Sequence, residues 1–412
     1  MKSKWEYIPF CDAVEIWDTL RKPINSKERS ARIEGKAESE LYPYYGATGQ
    51  VGLIDDYITD GEYVLLGEDG APFLNSFAQK AYLINGKTWV NNHAHVLRSK
   101  TNNRFLCYYL NYFNYKGYVS GTTRLKLTQA QMKTIPIPNP DADEQKRIVD
   151  KIEELFSQID DGVETLNKTK EQLKVYRQAV LKEAFEGKFT KLKHEKISID
   201  IENCTKEETK NLPEIPSEWK YVHLNKLGDL GRGKSKHRPR NDARLFEDGK
   251  YPFLQTSEVK NADKYITEYS KMYGEFGLAQ SKLWPKGTLC ITIAANIAET
   301  AFLGIDACFP DSVVGFTPNE NTNPFYIKYF IESQKLRLWA FAPATAQKNI
   351  NLDTLENLVV PYCGRVEQDE VVKEIESRMS VCDDIDRTID LSLQQAEALR
   401  QSILKKAFEG DI

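Results

Sequence analysis

Three groups of residues have types and spacings that could support chemistry. Gly228-Asp-Leu-Gly-Arg-Gly-Lys234-Ser235 fits the GxxxxGK[ST] pattern of a phosphate-cradling loop. Such a loop follows a buried strand and opens a helix whose first amides hold the phosphates. Here Lys236-His-Arg-Pro-Arg-Asn-Asp242 follows, charged and broken by proline, and no apolar run ending in Asp offers a magnesium partner. Nucleotide hydrolysis through Lys234 is therefore not expected. Asp248 with Glu258-Val-Lys260 imitates the acid-x-Lys of a metal-dependent nuclease, a pattern too common to discriminate. His93-Ala-His95 sets two imidazoles on one face of a strand, with no third ligand in view. No nucleophile–base set emerges. The expectation is a non-catalytic chain without a metal site or a bound cofactor.

The basic and polar loops point elsewhere. Arg232, Lys234, Lys236, Arg238, Arg240 and Arg244 fall within thirteen residues, and Arg21, Lys22, Lys27, Arg29, Arg32 and Lys36 form a parallel run in the first half. Runs of this kind at the same place in both halves are candidate phosphate contacts. Gly-rich polar loops accompany them: Tyr44-Tyr-Gly-Ala-Thr-Gly-Gln50 and Gly121-Thr-Thr-Arg-Leu-Lys126, then Gln255-Thr-Ser257, Ala294-Ala-Asn296 and Ala344-Thr-Ala-Gln-Lys-Asn349. Gln and Asn suit adenine edges; Arg and Lys suit guanine. Turn chemistry alone also favours Gly, Asn and Thr. The Thr122–Arg124 and Thr345–Gln347 loops, however, hold equivalent places ahead of Pro136 and Pro361. Candidate DNA contacts are Lys27, Arg29, Tyr45, Thr48, Gln50, Thr123, Arg124 and Lys126 in the first half. In the second half they are Lys234, Lys236, Arg238, Arg240, Gln255, Thr256, Asn296, Gln347 and Lys348.

The whole-chain numbers set the frame. With 412 residues, 41% hydrophobic and 28% charged, the chain has room for two to four globular domains. No apolar stretch approaches the ~20 residues of a membrane span, and the N-terminus lacks the apolar core of a signal peptide. Seven single cysteines without a CxxC pair argue against a disulfide framework and a structural zinc site, and fit a reducing cytoplasm. The net charge of −4 speaks against a polyanion partner, but it is unevenly spread. Residues 1–142 carry +2 and 219–365 carry +4, whereas 143–189, 190–218 and 366–412 carry −2, −2 and −6. A polyanion would have to sit on the two basic segments.

The elements that must position these loops show as a repeat. Residues 143–189 align without a gap on 366–412 at 18 identities in 47 positions, strongest where Arg177-Gln-Ala-Val-Leu-Lys-Glu-Ala-Phe-Glu-Gly187 recurs as Arg400–Gly410. Trp5-Glu-Tyr-Ile likewise matches Trp219-Lys-Tyr-Val, and Pro136-Ile-Pro138 matches Pro361 behind Val359-Val360. The two ends share a three–four apolar spacing, which predicts two long helices with heptad seams. Mutual antiparallel pairing is the expectation, through Ile148, Ile152, Leu155, Ile159, Leu166 and Leu173 with Val371, Ile375, Ile385, Ile389, Leu399 and Ile403. The organisation read from this is a first domain over 1–142, a helix over 143–189, a linker over 190–218, a second domain over 219–365 and a helix over 366–412. Short β-like runs at 63–67, 88–90, 95–97, 288–293 and 312–316 and helical spacing at 104–115 and 323–341 make each domain mixed α/β.

The pattern resembles the specificity subunit of Type I restriction–modification systems over essentially the whole chain. The carriers are Tyr44-Tyr-Gly-Ala-Thr-Gly, Asp60–Gly70, Leu212-Pro-Glu-Ile-Pro-Ser-Glu-Trp219 and the two Glu-Gln-led helices ending in Ala-Phe-Glu-Gly. The resemblance implies an α+β fold of two target-recognition domains joined by two long antiparallel coiled-coil helices, a pseudo-twofold tandem repeat. Each domain would read one half of a split double-stranded DNA target, and the helices would set the gap. Two modification subunits carrying S-adenosylmethionine would dock on the helices and methylate adenine N6. Restriction subunits with ATP and Mg would add translocation and cleavage. A specificity module of a Type IIB-like or fused restriction system, or a coiled-coil scaffold without DNA, are the alternatives.

Overall fold

The computed structural model describes residues 5–189, 197, 201–341 and 349–412. The chain divides into two units, Met1–Thr169 with Arg387–Ile412, and Lys170–Asp386. Two long helices, Ala142–Phe185 and Arg365–Glu409, each contribute to both. Among the described residues no helix is long and apolar enough to cross a membrane.

The first unit holds two four-stranded sheets. One is antiparallel, in the order Val14–Ile16, Ala94–Ser99, Tyr63–Gly67, Ala81–Ile84. The other runs Gly49–Ile54, Tyr42–Gly46, Lys87–Val90, Thr59–Asp60, with its middle pair parallel. The second unit has a five-stranded sheet, Gly228–Arg232, Val313–Pro318, Leu289–Thr292, Thr300–Leu303, Tyr265–Ile266. A four-stranded one runs Lys271–Tyr273, Tyr251–Phe253, Ala307–Cys308, Leu283–Trp284. Leu289–Thr292 is buried at every residue, which is why Leu289-Cys-Ile291 is apolar without alternation, and Thr292 spends its hydroxyl on Asn296 O.

The repeat is built into each unit in the same way. The opening strand pairs with the strand just before the long helix, Tyr7 opposite Pro138 in one unit and Tyr221 opposite Pro361 in the other. Proline is tolerated there because each ribbon has only two strands, so an edge lacks a ladder partner anyway. A short helix follows the sheets, Asn103–Tyr112 or Pro324–Ser333. Asn102 or Asn323 caps it by accepting two backbone N–H bonds. The glutamine at the start of each long helix locks that corner. Gln145 Nε2 donates to Pro140 O and its Oε1 accepts from Thr101, while Gln368 Nε2 donates to Cys363 O and its Oε1 accepts from Asn323 N. About two turns further along the long helix, Tyr108 reaches Glu153 Oε1 at 3.4 Å, and Tyr329 reaches Glu376 Oε1 at 3.3 Å.

The repeated Ala-Phe segment completes each core. In the first unit Phe408, Ala407, Leu404 and Ile403 are buried with the domain helix, and the Phe408 ring lies 5.3 Å from both Phe105 and Tyr109. In the second unit Phe185, Ala184, Leu181 and Val180 do the same, with Phe185 5.0 Å from Tyr326 and 5.2 Å from Phe330. Each domain therefore receives the C-terminal turns of the helix that does not start from it. Gly187 and Gly410, at φ of +74° and +88°, stop the helices just past this segment, short of the expected ends at 189 and 412.

The helices run antiparallel within each unit, but the seam differs from the expected one. Ile148, Ile152, Val371 and Ile375 are buried in the domain cores, not between helices alone. Ile159, Leu173, Ile389 and Ile403 are buried, and Leu155 and Leu166 half-buried. Ile385 is 40% exposed, a correction to its expected burial in the seam, while Leu399, 52% exposed, lines an open groove opposite Leu155 and Ile159. A straight helix drifts by ~20° per heptad, so a stripe that begins against a domain rotates away along the helix. Ion pairs fix the register instead. Arg177 bonds Asp383 and Asp386 at 2.8 Å in one unit, and Arg400 bonds Asp160 in the other, the same pair with roles exchanged.

Phe408→Ala should cost the first unit about 3–5 kcal/mol. Hydrogen exchange checks this: protection falls in Asn103–Tyr112 and stays in Pro324–Ser333, and Phe185→Ala gives the reverse.

Candidate nucleic-acid interface

In the first domain the Gly-rich segments converge on one turn, Gly67–Gly70. Tyr42–Gly46 and Gly49–Ile54 form a hairpin with Ala47-Thr48 at its tip. Thr48 and Gln50 are exposed there, and Gln50 Nε2 donates to Gly52 O. Tyr45 is half-buried against Leu65, Ile84 and Val90, and burial pushes its hydroxyl pKa up. The hairpin tip abuts Gly67, where a Cβ would stand 2.9 Å from Ala47 O and 2.4 Å from Ala71 Cβ. On the other side of the turn lies the loop of Thr123, Arg124 and Lys126. It is closed by paired bonds between Ser120 and Lys126 and tied by Gly70 N to Leu125 O. Arg124 pairs with Asp69 at 2.6 Å and Lys126 with Glu68 at 3.4 Å, while Thr123 is exposed.

Beneath this turn sits a polar hub. Asp18 accepts from His95 Nδ1 at 2.8 Å, Val96 N and Gln129 Nε2 at 3.0 Å, and pairs with Arg21. Burial raises the Asp18 carboxyl, but the bond and charge of His95 and the Val96 and Gln129 bonds outweigh it and hold the group below the ordinary carboxylate range. His95 is fully buried, with Nε2 3.2 Å from Leu127 O. His95 is thus a core histidine that anchors the end of the 121–126 loop. Its neighbour His93 faces Asp69 at 3.6 Å.

The first basic run proves to be largely structural. Arg32 and Lys36 bind Asp55, and Arg21 binds Glu68. Arg29 donates to Val51 O and stacks 4.9 Å over the Tyr44 ring, clamping the hairpin to the helix Ser26–Ile33. Lys27 is exposed on that helix.

In the second domain two of the loops, 232–240 and 293–296, meet at Pro310–Val313. Gly233 N donates to Val313 O and Ile293 N to Ser312 O. Arg240 pairs with Asp311 at 2.8 Å and Arg232 donates to Asp311 O at 2.5 Å. Arg238 donates to Ser235 O and His237 O. Lys234 and Lys236 are exposed and form no ion pair among the described residues. Asn296 is half-buried in a tight loop in which Ala295 and Ala298 take φ of +63° and +61°, conformations costly for alanine. Gln255 and Thr256 open the short helix Thr256–Asn261. Gln347 and Lys348 lie outside the described residues.

The tempting catalytic motifs resolve into structure. No helix opens at Lys234-Ser235; the next helical turn is Ala243–Leu245, and the Gly233 and Lys236 amides are spent on Val313 O and Gln280 O. Glu258 accepts from Gln255 N, Ser257 and Ser270, so the acid-x-Lys motif is a helix cap. The residues missed by sequence reasoning are the positioning ones: Gly67, Asp18 and the Tyr108–Glu153 and Tyr329–Glu376 contacts. The last two were legible only as a Thr-Asn opening shared by 101–102 and 322–323.

The sequence matches the family described as "Type I restriction modification DNA specificity domain" twice, over residues 3–175 and 216–395. A Haemophilus influenzae chain named for a type I restriction enzyme specificity subunit is 26% identical, over 96% of this chain and 93% of that one. The EcoBI specificity subunit of Escherichia coli is 25% identical, over 92% and 79%. A solved structure from work on complex assembly and conformational transition of the type I R-M system shares the fold, with TM-score 0.72 at 17% identity over all of both chains.

The Asp18 hub makes the first domain acid-sensitive. A carboxyl held low when folded contributes stability above its unfolded value of ~3.9 and loses it as pH falls through the folded one. Asp18→Asn should lower stability by about 1–3 kcal/mol at neutral pH, and thermal melts should show that deficit shrinking as pH drops below about 4.

Proposed function

Because the chain belongs to the Type I restriction modification DNA specificity domain family, we propose that each of its two recognition domains reads one half of a bipartite double-stranded DNA target. The observation that carries this reading is the double match, one on each set of converging loops. Exposed Thr48, Gln50 and Thr123 would read bases in the first domain, with Asn296, Gln255 and Thr256 in the second. Lys27, Lys234 and Lys236 supply phosphate contacts, since among the described residues their charge is not spent on the protein's own carboxylates. Arg29, Arg124 and Arg240 already hold internal partners, so their part is to set the loops, with bases or phosphates reached from there.

The chain performs no chemistry in this reading. S-adenosylmethionine belongs to the two modification subunits and ATP and Mg to the restriction subunits, in a cytoplasmic assembly. The modification subunits dock on the long helices. An apolar groove of about 810 Å³ in the first unit, between Leu155, Ile159 and Leu166 on one helix and Ala396 and Leu399 on the other, suits such a helix–helix contact and accounts for the exposed Leu399.

Lys234→Ala with Lys236→Ala should weaken binding to all sequences alike. The slope of log affinity against log salt should fall by about 0.9 for each phosphate that is no longer neutralised; fluorescence anisotropy across a salt series reads both. Coexpression with the neighbouring modification subunit should place N6-methyladenine in a split motif on opposite strands. Exchange of residues 219–365 should then change one half of that motif only. Methylation without a sequence motif would overturn the reading.

A further inference from the structure

The connector leading into the second domain carries a cluster that DNA reading does not use. Cys204, Glu208 and His223 offer a thiol, a carboxylate oxygen and an imidazole nitrogen, all within 4.8 Å of one another. The connector is held in place against the strand Lys220–His223. Cys204 N donates to Tyr221 O at 2.7 Å, Lys220 Nζ to Ile201 O at 3.3 Å and the Tyr221 hydroxyl to Pro213 O at 2.6 Å.

Two of the three donors are already aimed. His223 Nδ1 lies 3.2 Å from Asn357 O, a carbonyl that can only accept, so the ring donates there and Nε2 points at the cluster. Glu208 Oε2 accepts from the Thr205 amide at 2.8 Å and the Thr205 hydroxyl at 2.7 Å. Its Oε1 is left facing His223 Nε2 at 3.2 Å. Such outer bonds are what orient imidazole and carboxylate ligands in metal sites. Two ligands at ~2.0–2.1 Å from a tetrahedral ion stand about 3.3–3.4 Å apart, so this spacing fits a shared metal. With Nδ1 committed to a carbonyl, an Nε2 lone pair beside a carboxylate oxygen needs a cation between them. A proton would satisfy those two atoms alone, whereas a metal also engages the thiol.

We propose that Cys204, Glu208 and His223 form a three-ligand zinc site, completed by water, that staples the connector to the opening strand of the second domain. Sulfur, nitrogen and oxygen donors together favour zinc over magnesium or calcium. Burial and the Glu208 and Glu202 carboxylates push the Cys204 thiol up to about 11, so the metal displaces a proton on binding and affinity rises with pH. Sequence spacing passes over the site because its ligands come from a connector turn and a strand fifteen residues beyond it.

The test is cobalt titration of the full chain after chelator treatment. One equivalent of Co²⁺ should produce thiolate-to-metal charge-transfer absorption that Zn²⁺ abolishes. Cys204→Ser should remove the band and Cys11→Ser, at an exposed thiol in the first domain, should keep it. Glu208→Gln retains a capping side chain and should weaken binding about tenfold with the fold intact by circular dichroism. Absence of the band in the parent chain would leave His223 and Glu208 as an ordinary contact, and its survival in Cys204→Ser would place the metal on another thiol; either result overturns the proposal.

Discussion

The placement of one phenylalanine per unit governs this architecture. Phe408 and Phe185 each enter a site between two aromatic residues one turn apart, Phe105 and Tyr109 or Tyr326 and Phe330. Neither domain helix could bury that face with its own sequence. Each domain core is thus incomplete until the far end of the other repeat's helix arrives. The glycine behind each phenylalanine stops the helix at that depth, and the Arg–Asp pairs set the register that delivers it. Burial supplies most of the energy and the ions supply the choice of alignment, since partly exposed pairs are worth at most about 1 kcal/mol.

The converging loops depend on that core at one remove. In each domain two of the loops meet on a short turn, Gly67–Gly70 or Pro310–Val313, held in part by backbone bonds. Gly67 permits the close approach because no side chain fits beside Ala47 O. Asp18 and His95 then tie the base of the loop to the sheet. Side chains at the loop tips can therefore vary while the frame beneath them is held.

The long helices, the short strands and the identity of the Ala-Phe-Glu-Gly ends were legible because periodicity and self-similarity are local signals. The destination of each phenylalanine was not, since a repeat says that two segments do the same thing but not where. The seam was over-read for the same reason: Ile385 has the spacing of a core residue yet is 40% exposed, and Leu399 lines an open groove between the helices instead of a closed seam. The basic runs misled differently. Arg32, Lys36 and Arg240 look like phosphate ligands until Asp55 and Asp311, distant in sequence, neutralise them. Tyr108–Glu153 and Tyr329–Glu376 escaped notice because helix and domain repeat at slightly different offsets.

The exchanged helix ends have an evolutionary consequence. The far-end phenylalanine meets a small socket of two aromatic positions on a helix capped by asparagine, and a tyrosine on the same helix meets a glutamate of the domain's own long helix. Both halves present the same socket to the same plug. Inherited variation can therefore replace a whole reader, or move one from the first half to the second, without rewriting the helices. A replacement domain that keeps this socket can then be received by the same two helices.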